Sequence, residues 1–374
     1  MCIRDRDLWA RFELHALTGA GLDEIRGIFG AKPENFLDVA CDYLEAGFAG
    51  DALRVLDAAD SGYPLVRYYR AWCLQLLGRE SGAELAAAAS MDTGTCFPSR
   101  LEDIAVLEYA ASTGPADANA CYYLGCLFYD RFRYEDAIGR WEEAVRRDPR
   151  HAKALRCLSL AYFDKRGDAA SARACMELAL DGLADPRLLF EYQQLLKNSG
   201  AAPDERLAVY DRCPQLLQQR DDCYLDRIVL LCMKGRYEEA IRLAGERHFH
   251  IYEGGEGNLT KQHAWMHVLY GNELAAAGRD AEAERAYRNG AEMPRSYGEA
   301  KTFFNQEAHL YFYLGLLLEK RGDGAGAKAA FEEASVYKLS LIHILISWIG
   351  ASPTKQPSLK MATRSAISRI SAMR

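Results

Sequence analysis

Four of the eight histidines, His248, His250, His263 and His267, fall within twenty residues. Between the two pairs runs Glu253-Gly254-Gly255-Glu256-Gly257. Histidines four apart share one helix face and carboxylates three apart can converge. The segment therefore holds the donor types of a divalent-metal site, with His263 and His267 as its ligands. Glu253 and Glu256 can equally work as acid and base on a sugar, or accept hydrogen bonds from its hydroxyls. Three glycines so close together read as backbone on a special path. It is no phosphate loop, because no Lys-Ser/Thr pair follows and carboxylates stand where an anion would sit. Asn258-Leu-Thr260 is a glycosylation sequon without meaning in a reducing cytosol.

The elements that carry these residues come from a repeat. Leu124-Gly125, Phe128, Ala137, Trp141, Ala144 and Pro149 set out two helices in sequence. They form the tetratricopeptide pattern, in which small residues let antiparallel helices approach and an aromatic fills the layer between hairpins. Arg133-Tyr134-Glu135-Asp136-Ala137-Ile138 returns as Arg236-Tyr237-Glu238-Glu239-Ala240-Ile241, 103 residues later, three steps of 34 and one residue over. That residue is placed in the turn Lys165-Arg166-Gly167-Asp168, beyond which Ala172, Met176 and Ala179 run one position late. Gly271 with Ala283 and Tyr287, and Gly315 with Ala327 and Phe331, continue the series, while Tyr43, Ala52 and Leu56 extend it upstream. The expected fold is all-α, a right-handed tetratricopeptide-type solenoid of about eight hairpins plus one extra helix. That extra helix is expected over Ser99 to Ala111. In this register His267 takes a packed slot and His263 lies in the turn before it, so a core role competes with the metal reading.

Two intervals break the rhythm. From Ala240 to Ala283 is 43 residues and from Ala283 to Ala327 is 44, about nine and ten more than one period. The surplus falls near 247–260 and near 294–304, and insertions between repeats map to loops at one edge of such a stack. The expected binding loop comprises His248, His250, Tyr252, Glu253, Gly254, Gly255, Glu256, Gly257, Tyr297, Glu299 and Lys301. Projecting the period onto first helices assigns a concave groove to Tyr122, Tyr129, Lys153, Arg156, Trp265, Asn272, His309 and Phe312. Lys153, Arg156, Asn119 and Asn272 are the residues there that can grip a peptide carboxylate. The aromatics suit a sugar, an apolar peptide, another domain, or packing alone.

Composition narrows the field. The chain of 374 residues is 49% hydrophobic and 26% charged with net charge -7, which excludes collagen-like, disordered and disulfide mini-protein classes. No Asp or Glu follows Glu333, so the negative charge lies in the body. An acidic body without a basic stripe excludes nucleic acid and an anionic membrane as partners. The apolar run from Leu339 to Ile349 is broken by Ser340, His343 and Ser347 and is too short to span a bilayer. Eleven cysteines with no Cys-x-x-Cys read as free thiols in a reducing, cytoplasmic setting. No cofactor motif is present.

Residues 1–6 and 338–374 resemble adaptor-derived reading frames at the edges of translated fragments, and both are set apart from the fold. The intervening chain divides into divergent helical repeats over 7–112 and clear tetratricopeptide repeats over 113–337. Several stretches resemble one family: Cys96-Phe-Pro-Ser-Arg-Leu-Glu-Asp-Ile-Ala-Val-Leu-Glu-Tyr-Ala110, Tyr122-Tyr-Leu-Gly125, Trp141-Glu-Glu-Ala144 and Phe249-His-Ile-Tyr-Glu-Gly-Gly-Glu-Gly257. They are similar to the repeat region of large bacterial proteins that carry an N-terminal mutarotase-like β-sandwich domain of unknown function. The resemblance runs from about Asp7 to Ser335. This chain has Ile251-Tyr252 where the family usually has Pro-Trp, and Gly298-Glu-Ala-Lys301 where it has Gly-Glu-Gly-Lys. The resemblance implies a scaffold whose partner is the β-sandwich domain of the same full-length protein, or another protein, with a glycan as a further ligand. Two alternatives stand beside it: an enzyme acting on a glycan through Glu253 and Glu256, and a generic peptide-binding adaptor.

Overall fold

The computed structural model describes residues 3–30, 32–59, 62–94, 96–113, 117–250, 257–298 and 307–336. All regular structure among them is helical, and it divides into two compact units at Leu188 and Leu189. The first contains α1 Ile3–Thr18, α2 Leu22–Phe29, α3 Pro33–Glu45, α4 Ala49–Ala58, α5 Pro64–Leu76, α6 Gly82–Ala89, α7 Glu102–Thr113, α8 Ala118–Asp130, α9 Tyr134–Arg147, α10 Ala152–Ala161 and α11 Ala169–Gly182. The second opens within α12 Pro186–Asn198 and continues as α13 Pro203–Arg212, α14 Pro214–Leu217, α15 Asp221–Met233, α16 Tyr237–Glu246, α17 Asn258–Ala276, α18 Asp280–Ala291, α19 Ala308–Lys320 and α20 Gly324–Val336. Proline at the first position opens α3, α5 and α13, where its missing N–H has no helical partner to lose. Asp117 and Asp168 cap α8 and α11 by accepting from Ala120 N and Ser171 N.

Helices pair as tetratricopeptide hairpins. Eight follow from α3 onward, with α7 as the extra helix, and α1 with α2 forms a further pair. The small residues explain why the helices come so close. A Cβ on Gly125 would collide with the Trp141 indole, one on Gly271 with the Tyr287 ring, and one on Gly315 would lie 2.6 Å from Phe331. In each case glycine and ring are sixteen residues apart, and the second helix lays its aromatic directly on the first helix's backbone. The turn inside a hairpin needs one left-handed residue, which is Gly in seven of the eight, as at Gly235 with φ 73°. The α8–α9 turn uses Phe132 instead, at φ 61° and 77% exposed.

Three departures from the expected layout have physical causes. The extra helix begins at Glu102, not Ser99, because the buried Asp103 carboxylate accepts from Ser99 N at 2.8 Å and Arg100 N at 2.9 Å, so those residues form its entry turn. Tyr69 of α5 also donates to that carboxylate at 2.7 Å, fixing α7 on the stack. The odd residue near 165 is absorbed as a π-helical turn, Tyr162–Arg166, closed by Gly167 at φ 66°. Finally, α17 is nineteen residues long, so part of the first insertion is helix rather than loop. Leu259, Thr260 and His263 are buried on its added turns.

Candidate functional site

The insertion edge lies in the second unit and is built on the start of α15. The Asp221 carboxylate binds the Arg247 guanidinium at 2.5 Å and accepts the His250 backbone N–H at 2.6 Å. Arg247 lies over the Tyr224 ring at 4.3 Å, and Phe249, buried, meets Tyr224 edge-on with ring centres 6.1 Å apart. One carboxylate and one aromatic thus hold residues 247–250 as they leave α16.

The second insertion comes to the same place. His248 donates from Nδ1 to Ser296 O at 2.9 Å, and the Phe249 and Tyr297 rings pack at 5.8 Å. A Cβ on Gly298, at φ 69°, would sit 2.8 Å from Phe249 O, so only glycine allows this approach. Tyr297 is 1% exposed, and burial raises its phenol above the ordinary value. Its hydroxyl meets His263 Nδ1 at 3.0 Å. The other ring nitrogen, His263 Nε2, faces the carbonyls of Asn289 and Glu292 at 3.2 and 3.0 Å, the end of α18. Two acceptors require the hydrogen on Nε2, so Nδ1 accepts from Tyr297.

The two weak metal candidates, His263 and His267, are engaged within the core. Both nitrogens of His263 are committed to hydrogen bonds, and His263 lies inside α17 rather than in a turn. His267 packs against it with rings 4.6 Å apart, and burial followed by the charge of its neighbour depresses its pKa to about 3. His248 and His250 are exposed while His263 and His267 are buried, so the four do not converge. Among the described residues no group of three or more His, Cys, Asp or Glu is placed to hold a metal ion. Tyr252, Glu253, Gly254, Gly255, Glu256, Glu299 and Lys301 lie outside the described residues, and Gly257 is the left-handed residue that precedes α17.

The groove residues fall four to each unit. In the first, Lys153 forms an ion pair with Asp92 at 2.7 Å, and Asn119 donates its amide to Ala89 O and Met91 O at 3.0 and 2.9 Å. The chain's own segment after α6 therefore occupies the side chains expected to grip a peptide. Tyr122 packs on His151 at 5.1 Å, and Tyr129 on Tyr134 and Trp141 at 4.9 and 5.5 Å. Arg156 places its positive charge beside Cys126. In the second unit Trp265 stacks on His309 at 4.6 Å. Asn272 accepts from the Tyr287 hydroxyl at 2.7 Å, and Phe312 packs on Phe331 at 6.0 Å. These side chains serve packing first, and Asn119 and Lys153 are held by the chain itself.

The fold is the tetratricopeptide one. No family model matches the chain. It is similar to the C-terminal part of a tetratricopeptide repeat-containing protein from Cytophaga hutchinsonii, at 15% identity over 71% of this chain and 99% of that one, with a TM-score of 0.37. It is also similar to YrrB, a tetratricopeptide protein described as having an unusual peptide-binding site, at 16% identity over 60% and 97% with a TM-score of 0.35. The tetratricopeptide domain of P58(IPK) matches 91% of this chain and 99% of its own at 13% identity and a TM-score of 0.28. At such identities the likeness is one of fold alone.

Sequence reasoning missed Asp221, Tyr224 and Arg247, which position the insertion edge. No spacing pairs Asp221 with Arg247, which are 26 residues apart on one hairpin. The available signal was the doubled acid Asp221-Asp222 at a helix start, where carboxylates are favoured. No described helix is long and apolar enough to cross a membrane.

Proposed function

We propose that the chain is a protein-interaction scaffold whose docking surface is the insertion edge of its second unit, operating in a reducing compartment such as the cytoplasm. The observation that carries this reading is the contact between the insertions, His248 on Ser296 and Phe249 on Tyr297. A stack that needs 34 residues per hairpin has about twenty more in two consecutive intervals, and their described parts meet. The described ends of the two insertions, 248–249 and 296–297, are joined and anchored by buried aromatics, and loops held on a rigid scaffold are where repeat proteins bind. The partner that fits best is the β-sandwich domain of the same full-length protein, making this chain the helical part of a larger carbohydrate-active protein.

The test is direct binding of that domain, expressed separately, to the chain by calorimetry. Saturable binding that is weakened by Glu253→Gln with Glu256→Gln, while the helical spectrum is unchanged, is the expected result. Binding that survives this double change but fails with Arg156→Ala, the helical spectrum again unchanged, would transfer the partner to the first unit's groove. Hydrolysis of a glycan by the chain alone, lost on Glu253→Gln, would replace the scaffold by an enzyme.

A further inference from the structure

The first unit carries a self-matching surface that none of the foregoing uses. On α9 the residues Arg133, Asp136, Arg140, Glu143 and Arg147 stand three and four apart, so they form one stripe, and their charges alternate along it. Beside the stripe α7 and α9 leave a cleft of about 540 Å³, with Ile104 and Phe128 in its lining and Glu108, paired to Arg140, on the α7 wall. Two residues on this surface work against the stability of the chain. Gly139 lines the cleft in the middle of α9, where glycine is a poor helix former, and a Cβ there would meet nothing within 4 Å among the described residues. Phe132, next to Arg133, holds a left-handed backbone that the other seven hairpin turns give to glycine, and its ring stays exposed. Arg131 donates to Ser99 O at 2.6 Å, which sets that turn against the segment carrying the exposed Phe97 and Leu101. An open backbone at the centre and exposed apolar side chains at the end suit a surface that another helix closes over.

We propose that a second copy of the chain docks here, the two α9 helices crossing antiparallel beside Gly139 about a twofold axis. The charge pattern selects this occupant. A partner of single sign would be repelled by every second residue of the stripe, whereas the stripe reversed on itself is complementary. Arg133 then faces Glu143 of the second copy and Asp136 faces its Arg140, and symmetry repeats both contacts, so every facing pair is opposite in sign. The pairs already present within one copy, Arg133 with Asp136 and Arg147 with Glu143, both at 2.7 Å, join these contacts into networks rather than being broken. Gly139 lies beside the crossing and has no side chain to hold the two backbones apart. The same register carries each Phe132 just past Glu143 of the other copy, beside its Arg147, where an aromatic face attracts a guanidinium. This surface belongs to the first unit and is independent of the docking edge proposed for the second.

The test is sedimentation equilibrium of the whole chain across micromolar concentrations. A monomer–dimer equilibrium is expected, weakened at least about tenfold by Asp136→Arg or by Arg140→Asp, since each change creates two like-charge contacts by symmetry. An equimolar mixture of these two variants should associate again, because each then meets the opposite charge on the other. Gly139→Leu, whose side chain has open space in the monomer, should also weaken association while the helical spectrum is unchanged. A chain that stays monomeric at every concentration overturns the proposal. So does a dimer indifferent to these substitutions, or one that mixing the two charge variants fails to restore.

Discussion

Tyr297, on the second insertion, donates its phenolic hydrogen to Nδ1 of His263 at 3.0 Å, on the helix that begins where the first insertion ends. Through Nε2 the same imidazole holds the last carbonyls of α18. A single ring therefore closes a helix end and ties down the second insertion, which leaves it no lone pair for a metal.

Tyr297→Phe removes the hydroxyl that donates to His263 Nδ1 at 3.0 Å. Loss of a buried hydrogen bond of this kind costs about 1 kcal/mol or more. The denaturant midpoint should fall with an unchanged slope, and backbone hydrogen exchange should quicken at 294–298 and 248–250. A local effect in 294–298 alone would show that the insertions are not coupled.

The hairpin glycines give a paired prediction of opposite sign. Gly125→Ala drives a methyl into the Trp141 indole, and overpacking of this kind costs about 2 kcal/mol or more. Gly139→Ala, on α9 with nothing within 4 Å of its Cβ, should stabilise by about 0.5–1 kcal/mol through the unfolded chain. Equal thermal midpoints for the two variants would contradict the packing account.

Phe132 is the left-handed residue of its turn, and a side chain there costs about 1–2 kcal/mol. Its ring is 77% exposed and touches Tyr134 at 6.2 Å, so little burial offsets the strain. Phe132→Gly should raise stability by about 1 kcal/mol in urea unfolding. A loss would mean the ring's contact with Tyr134 outweighs the backbone.

The repeat could be read in advance because each anchor has a local cause: Gly125 under Trp141, Gly271 under Tyr287 and Gly315 under Phe331 recur at one spacing. The intervals of 43 and 44 residues between Ala240, Ala283 and Ala327 likewise mark two surplus stretches by length alone. What stayed hidden depends on contacts with no period. The extra residue near 165 looked like a longer turn, but a π-helical turn at Tyr162–Arg166 accommodates it with the helix continuing. His263 looked like a turn residue because the minimal hairpin ends there, whereas burial of Leu259 and Thr260 extends α17 backward to it. Asn119 and Lys153 are, by type and position, residues that can grip a peptide. Their engagement by Ala89, Met91 and Asp92 is a long-range contact that spacing cannot encode.

Acid should destabilise the second unit through two histidines. Burial, with His263 as a lesser cause, lowers His267 to about 3, and burial followed by the Lys261 charge lowers His309 to about 4, from 6.5 in the unfolded chain. Between about pH 6.5 and 4 the unfolded state binds protons at both sites that the folded state refuses. The unfolding free energy therefore falls as pH falls, by up to about 1.4 kcal/mol per pH unit for each histidine, and neither contributes a slope well above pH 7. The phenyl ring of His309→Phe can still stack on Trp265 and loses no hydrogen bond, since His309 Nε2 is buried without a partner. Urea unfolding from neutral pH down to about pH 5 should give this variant a shallower dependence, by about 1.4 kcal/mol per unit at the steepest point. The carboxylates that also titrate in acid are common to both proteins and cancel in the comparison. Identical slopes would show that His309 protonates as readily folded as unfolded, and its burial against Trp265 would then lack the electrostatic cost that the geometry requires.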